Sequence, residues 1–181
     1  MMNWQTIQWG AVLGASLVAA LWDLKSRRIP NLLTLPLLGF GLVISTISGG
    51  WSGLGESVLS CVVLALPFVF LFLYAGGGAG DAKLMGAIGA CLGWSSGVRV
   101  LLAVCLAGMV FGLLFALRKR SLKSTFSNLL GIINGFFFRF RVQRGGEPIA
   151  MPVKTARQVA FPYGVAILVG VVIAAIGVYR G

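Results

Sequence analysis

Apolar residues run through this chain in blocks long enough to cross a lipid bilayer, and the charged residues stand between the blocks. A membrane helix needs about 20 predominantly apolar residues, and shorter ones occur. Six candidates follow along the sequence: 5–24, 31–48, 55–74, 82–94, 98–117 and 159–178. Breaks separate them. Ile29-Pro30-Asn31 ends the first block, and Gly76-Gly77-Gly78-Ala79-Gly80 ends the third. The fourth block is too short to cross the full hydrocarbon core. The pattern predicts an all-α polytopic membrane protein with about six transmembrane helices, organised as a single integral-membrane domain over 1–181. There is no internal repeat.

Composition agrees with that reading. Of the residues, 58% are hydrophobic and 10% charged, where a soluble domain has about 25% charged. So much apolar surface cannot be hidden inside a water-soluble core of this size. The chain opens Met1-Met2-Asn3-Trp4 and passes directly into an apolar block, with basic residues after the block rather than before it. That order predicts a retained first span, not a cleaved signal peptide.

The net charge of +11 would suggest nucleic acid in a soluble protein. Here the charges sit at the ends of apolar runs, which predicts membrane topology and contact with anionic headgroups instead, and no nucleic acid. Lys25, Arg27, Arg28, Lys83, Arg118, Lys119, Arg120, Lys123, Arg139, Arg141, Arg144, Lys154 and Arg157 all follow spans one, three or five; only Arg99 and Arg180 fall on the other side. The positive-inside rule then puts both termini outside and the loop 118–157 in the cytoplasm. Within that loop Phe126, Leu129, Leu130, Ile133, Phe136, Phe137 and Phe140 recur mainly at helical spacings beside arginines. The expectation is a cytoplasmic amphipathic segment in the headgroup layer, or a helix packed over the bundle.

Cys61, Cys91 and Cys105 lie within apolar runs without paired spacing, and histidine is absent. The cysteines therefore read as small buried residues, and no metal or cofactor is expected. The acidic residues are four: Asp23, Glu56, Asp81 and Glu147. Glu56 and Glu147 fall in loops and read as ordinary surface charges. Asp23 closes the first apolar block and Asp81 precedes the fourth, so the topology places both at the cytoplasmic face. Ionisable groups at membrane depth are costly and mark functional sites by default. Two carboxyl groups converging in a partly dry site share a proton, so that one serves as base on a water and the other as acid. Such a pair titrates as a unit, and neither role is assigned to one residue. The competing expectation is that each aspartate caps a helix or pairs with a nearby cation.

The flanking residues carry a resemblance. Asp23-Leu24-Lys25-Ser26-Arg27-Arg28-Ile29-Pro30-Asn31 resembles the first active-site segment of type IV prepilin peptidases. Gly78-Ala79-Gly80-Asp81-Ala82-Lys83-Leu84 resembles their second, the GxGD signature shared with other intramembrane aspartyl proteases. Phe161-Pro162-Tyr163-Gly164-Val165-Ala166-Ile167 resembles the segment that opens their last span. The likeness is closest to the short single-domain branch that processes Flp/Tad-type pilins.

The resemblance implies a bacterial inner-membrane aspartic endopeptidase with Asp23 and Asp81 as its catalytic pair. It would remove the short basic leader of a prepilin or pseudopilin after a glycine, with pilus assembly machinery as a possible partner. Larger members also N-methylate the new terminus through a segment with paired cysteines; the sequence lacks it, which implies peptidase without methyltransferase. The loop 118–157 departs from the short branch by its length.

Supporting roles follow. Gly78 and Gly80 are expected to adopt positive φ and to let backbone approach Asp81 closely. Pro30 and Asn31 suit a helix start, with Asn31 as cap. Lys83 is expected to give electrostatic support, paired with an aspartate, a substrate carboxylate or a lipid phosphate. Pro162, Tyr163 and Gly164 should break the start of the last span, and either expose backbone to substrate or only kink the helix. Two rivals remain: a proton-coupled transporter, which would place its carboxylates near the midplane, and a non-catalytic scaffold of a secretion machine.

Overall fold

The structure is a computed structural model and describes residues 4–26, 29–75, 78–118 and 163–180. Among these, everything but Ile29, Pro30 and Gly78 is helical. The helices are α1 (Trp4–Ser26), α2 (Asn31–Ala75), α3 (Ala79–Arg118) and α4 (Tyr163–Arg180). The expected amphipathic segment within 118–157 lies outside the described residues beyond Arg118.

Two of the helices are too long for one crossing. The 45 residues of α2 would extend about 68 Å if straight, against a hydrocarbon core of about 30 Å. Each long helix is interrupted by one glycine in the left-handed region: Gly50 in α2 (φ 62°, ψ −146°) and Gly93 in α3 (φ 69°, ψ −174°). A Cβ at such a position crowds the following carbonyl, so only glycine takes it at little cost.

The break at Gly50 folds α2 back on itself. A Cβ on Gly53 would collide with the carbonyl of Ser45 across the turn. Ser45 on the first arm and Ser57 on the second both donate to the Ala90 carbonyl of α3, at 3.3 and 2.6 Å. Both arms therefore flank one point on α3.

Ala90 needs those donors because of the second break. In an unbroken helix its carbonyl would accept from the Trp94 N–H. At Gly93 the chain departs from helix, and the Trp94 N–H donates instead to Glu56 Oε1 at 3.0 Å. Ser60 donates to the Gly93 carbonyl at 2.9 Å. Side chains from the second arm of α2 thus satisfy the backbone groups that the break in α3 releases. Glu56, expected to be an ordinary surface charge, is exposed but caps the helical stretch that starts at Trp94. The stretch ahead of Gly93 is the short fourth block of the sequence, starting at Ala79 rather than at 82.

Bare glycine surfaces bring the arms close. A Cβ would stand 2.7 Å from the Cys91 nitrogen at Gly41, 2.6 Å from the Ser60 carbonyl at Gly89, and 2.6 Å from the Val104 nitrogen at Gly170. Small residues at such crossings are how helices associate in lipid, where burial of apolar surface gives little drive. The core between them holds Leu64, Leu84, Met85, Ile88, Val104, Ile167 and Val171. Large apolar residues such as Leu17, Leu21, Trp22, Val62, Leu102 and Ile173 remain on the outside, the inversion expected when the solvent is hydrocarbon.

Helices α1, α2 and α3 each hold a stretch long and apolar enough to cross a membrane, and α4 is a shorter apolar helix over Tyr163–Tyr179. The chain is an all-α membrane protein. Residues 4–111 and 163–180 lie in one compact unit; the end of α3 from Gly112 falls in a second.

The inward face of α1 positions the site. Trp9, Val12, Ser16, Ala19, Ala20 and Asp23 are its buried residues, a stripe with helical spacing whose last member is a carboxylic acid.

Candidate active site

The site forms where α1 ends and where α2, α3 and α4 begin. Asp23 lies in the last turns of α1 and is 7% exposed. Its Oδ2 accepts the Gly164 backbone N–H at 2.9 Å. Gly164 is the second residue of α4, and the first N–H groups of a helix have no partner within it. The positive end of the helix dipole also favours a carboxylate there. Asp23 therefore caps α4 from another helix. Gly164 fits because it carries no side chain: a Cβ there would stand 3.0 Å from Asp23 Cβ, 3.1 Å from its Oδ2 and 3.3 Å from Ala20 Cα.

Asp81 lies in the first turn of α3. Its N–H donates to the Gly78 carbonyl at 3.2 Å, which starts the helix. A Cβ on Gly78 would come within 3.0 Å of Asp81 Oδ2, and one on Gly80 within 2.9 Å of Ile29 Cβ. The glycines of the GxGD segment thus serve close approach. They do not serve positive φ as expected: among the described residues the positive-φ glycines are Gly50 and Gly93. The helix already starts at Ala79, so Gly80 takes ordinary helical angles.

Gly80 lets the connection between α1 and α2 pack on the first turn of α3, which brings the two aspartate-bearing segments together. The carboxyl groups lie near enough for the Asp23 charge to act on Asp81.

The supporting residues divide. Lys83 Nζ donates to Asn31 Oδ1 at 3.0 Å, an exposed bond that ties the start of α2 to the start of α3. The expected partner, an acid or phosphate, is replaced by an amide. Asn31 is the first helical residue, and its side chain goes to Lys83; the Pro30 carbonyl accepts from the Leu33 N–H at 3.1 Å in the cap position. Pro162 lies outside the described residues. Tyr163 begins α4, with its ring edge-on to Phe68 at 6.2 Å and 84°. Of the two expectations for the Tyr163–Gly164 segment, a backbone group is indeed presented, but Asp23 takes it.

Phe68 and Glu56 gave no sign of these contacts in the sequence. Phe68 stands in an apolar run, and nothing local marks it. Among the described residues no group of three or more His, Cys, Asp or Glu side chains is placed to hold a metal ion. The arrangement brings together two carboxyl groups at one end of a helical unit, one of them fixed by a backbone donor.

Comparison with known proteins gives a family match over the part of the chain that carries the two aspartate-bearing segments. The model of the type IV leader peptidase family matches residues 11–113, a stretch that holds both aspartates. The chain is 37% identical over 121 residues to a prepilin leader peptidase/N-methyltransferase of Pectobacterium carotovorum subsp. carotovorum, covering 61% of this chain and 43% of that protein. It is 40% identical over 98 residues to the protein so named in Aeromonas salmonicida (strain A449), covering 50% and 33%. For Escherichia coli (strain K12) the figures are 34% over 109 residues, covering 54% and 46%. The matched part is thus less than half the length of these relatives. No solved structure matches the chain.

Proposed function

The chain belongs to the type IV leader peptidase family, and from that premise we propose that it is a prepilin leader peptidase whose catalytic pair is Asp23 and Asp81. One observation carries the proposal: Asp23 closes α1 against the start of α4, and Asp81 opens α3, whose Gly80 packs on the α1–α2 connection at Ile29, so separate helices bring the two carboxyl groups to the same end of the unit. A membrane transport path would call for such groups near the midplane; here both sit at helix ends.

The chemistry needs only these two groups and water. One carboxylate takes a proton from a water molecule as its oxygen adds to the scissile carbonyl. The other, as carboxylic acid, protonates the departing amide nitrogen as the C–N bond breaks. The leader leaves with the new carboxyl group and the mature pilin keeps the new amine. The pair exchanges roles when the proton is restored.

The finer reading follows the charge pattern and the resemblance. The helical stretches on either side of Gly50 and Gly93 act as separate spans, six with α1 and α4. Both termini face outward from the inner membrane, and the aspartates face the cytoplasm. The substrate is a prepilin of the Flp/Tad type, with a short basic leader in the cytoplasm and an apolar helix in the bilayer. Cleavage follows the glycine at that boundary. The relatives' double name includes N-methylation; this chain is proposed to carry the peptidase half.

Co-expression with a candidate prepilin tests the reading. Wild type should shorten the pilin by its leader, and Asp23→Asn and Asp81→Asn should each leave it full length at normal abundance. Full processing by either variant would remove the pair from the mechanism.

A further inference from the structure

Tyr163 and Gly164 are neighbours that meet different parts of the site. The Gly164 N–H holds Asp23, and the Tyr163 side chain packs against other helices. Whatever fixes the Tyr163 side chain therefore fixes the N–H that Asp23 accepts. Two groups do so from other helices. The Phe68 ring of α2 meets the Tyr163 ring edge-on at 6.2 Å, a geometry aromatic pairs favour. Beneath the hydroxyl lies Gly108 of α3, where a Cβ would stand 2.8 Å from the Tyr163 oxygen, 3.3 Å from Cζ and 3.5 Å from Cε1. The hydroxyl occupies space that any other residue at 108 would fill.

Crowding at Gly108 differs from that at the other glycines of α3. At Gly89 the nearest atoms are backbone of a packed helix, and at Gly86 and Gly97 the contacts are with α2 residues remote from the carboxyl groups. Only at Gly108 among these does the obstructed atom belong to the residue that starts α4. Gly108 is buried in the second arm of α3 and carries no side chain, so it offers no group of its own to the chemistry.

We infer that Gly108 is a positioning residue of the aspartate pair: its bare Cα is the seat of the Tyr163 hydroxyl, and through Tyr163 it sets the place of the Gly164 N–H on Asp23. The inference rests on the peptidase reading for its consequence, since a displaced first turn of α4 matters to catalysis only if Asp23 is catalytic. A methyl group at 108 must move the hydroxyl by a few tenths of an ångström or more. Misplacement on that scale costs about tenfold to a hundredfold in rate.

The test compares wild type, Gly108→Ala, Tyr163→Phe and the double variant, with Gly39→Ala as control because a Cβ there meets nothing within 4 Å. Prepilin cleavage and thermal unfolding are both measured on the full chain in detergent. Gly108→Ala should lower kcat about tenfold or more with KM little changed, and lower the melting temperature, while Gly39→Ala matches wild type. Tyr163→Phe removes the atom at 2.8 Å and leaves Cζ at 3.3 Å, so once that substitution is in place the alanine should cost clearly less in rate and in melting temperature than it does in the wild-type background.

Equal losses from Gly108→Ala with or without Tyr163→Phe, in either readout, would overturn the inference. So would wild-type kcat in Gly108→Ala when wild type cleaves. Absence of cleavage by wild type itself would count against the peptidase reading instead, and the melting temperatures would still decide whether Gly108 seats the hydroxyl.

Discussion

A methyl group added at residue 164 would press on the Asp23 Cβ, on its Oδ2 and on the Ala20 backbone at once. The Ala20 backbone and the Asp23 Cβ cannot yield as the tip of a flexible side chain can, and Oδ2 can yield only by leaving the Gly164 N–H. Gly164→Ala should therefore reduce prepilin cleavage about tenfold to a hundredfold, whereas Gly177→Ala, with nothing within 4 Å of its Cβ, should leave it unchanged; initial rates on the two purified variants decide. Lys83→Ala gives a contrast. Its bond to Asn31 is exposed, so its loss should cost less than about 1 kcal/mol of stability, read from thermal unfolding. At this scale the sequence singled out residues and was silent about how they meet. Asp23 and Asp81 stood out as acids in a basic, apolar chain. The bond between Asp23 and Gly164 joins residues 141 apart, and no local pattern encodes a contact at that separation.

Each break in a long helix rests on one residue that no other type replaces cheaply. Gly50 has open space around its Cα, and only its φ resists a side chain. Gly50→Ala should then cost about 1–2 kcal/mol, the strain of an L-residue in the left-handed region. Gly93→Ala should cost more, because its Cβ would also stand 3.2 Å from Glu56 Oε1 and disturb the cap on Trp94. Parallel unfolding curves of the two variants check the order; equal losses would mean that the Glu56 cap adds nothing. A different cost lies on α1, where Ser16 Oγ is buried with no hydrogen-bond partner among the described residues. An unsatisfied hydroxyl costs about 1–3 kcal/mol, so Ser16→Ala should raise the melting temperature or leave it level. A clear drop would mean that the hydroxyl is bonded after all. Helix limits were readable where proline or a run of glycines marked them, as at Pro30 and after Ala75. The polar bonds that tie Ser57, Ser60 and Glu56 to the break in α3 were not. They depend on which helices become neighbours, and an exposed glutamate in a glycine-rich turn looks the same whether or not it finds a backbone donor.

The whole molecule follows from a balance set by its solvent. With apolar residues facing outward, burial cannot drive assembly, and close glycine contacts together with bonds to freed carbonyls take its place. That class of fold was legible from composition and from the length of the apolar runs. The charge pattern put Asp23 and Asp81 at the ends of apolar runs on one expected side, but whether the two carboxyl groups approach one another was not legible in it. The residues between 119 and 162 make the same pattern testable. A single cysteine at position 120, in a chain freed of Cys61, Cys91 and Cys105, should react with an impermeant maleimide only after the cells are opened. Labelling of intact cells would reverse the orientation and put the aspartates on the wrong face for a cytoplasmic leader.

The central claim is that Asp23 and Asp81 together cut a prepilin leader. It is tested most directly by purified protein in lipid vesicles acting on a synthetic prepilin, with the products weighed by mass spectrometry. The account predicts one cut, after the glycine at the leader boundary, by the wild-type chain. It predicts no product above background from Asp23→Asn or Asp81→Asn proteins that unfold at the wild-type temperature. Cleavage at the same bond by either folded variant would contradict it.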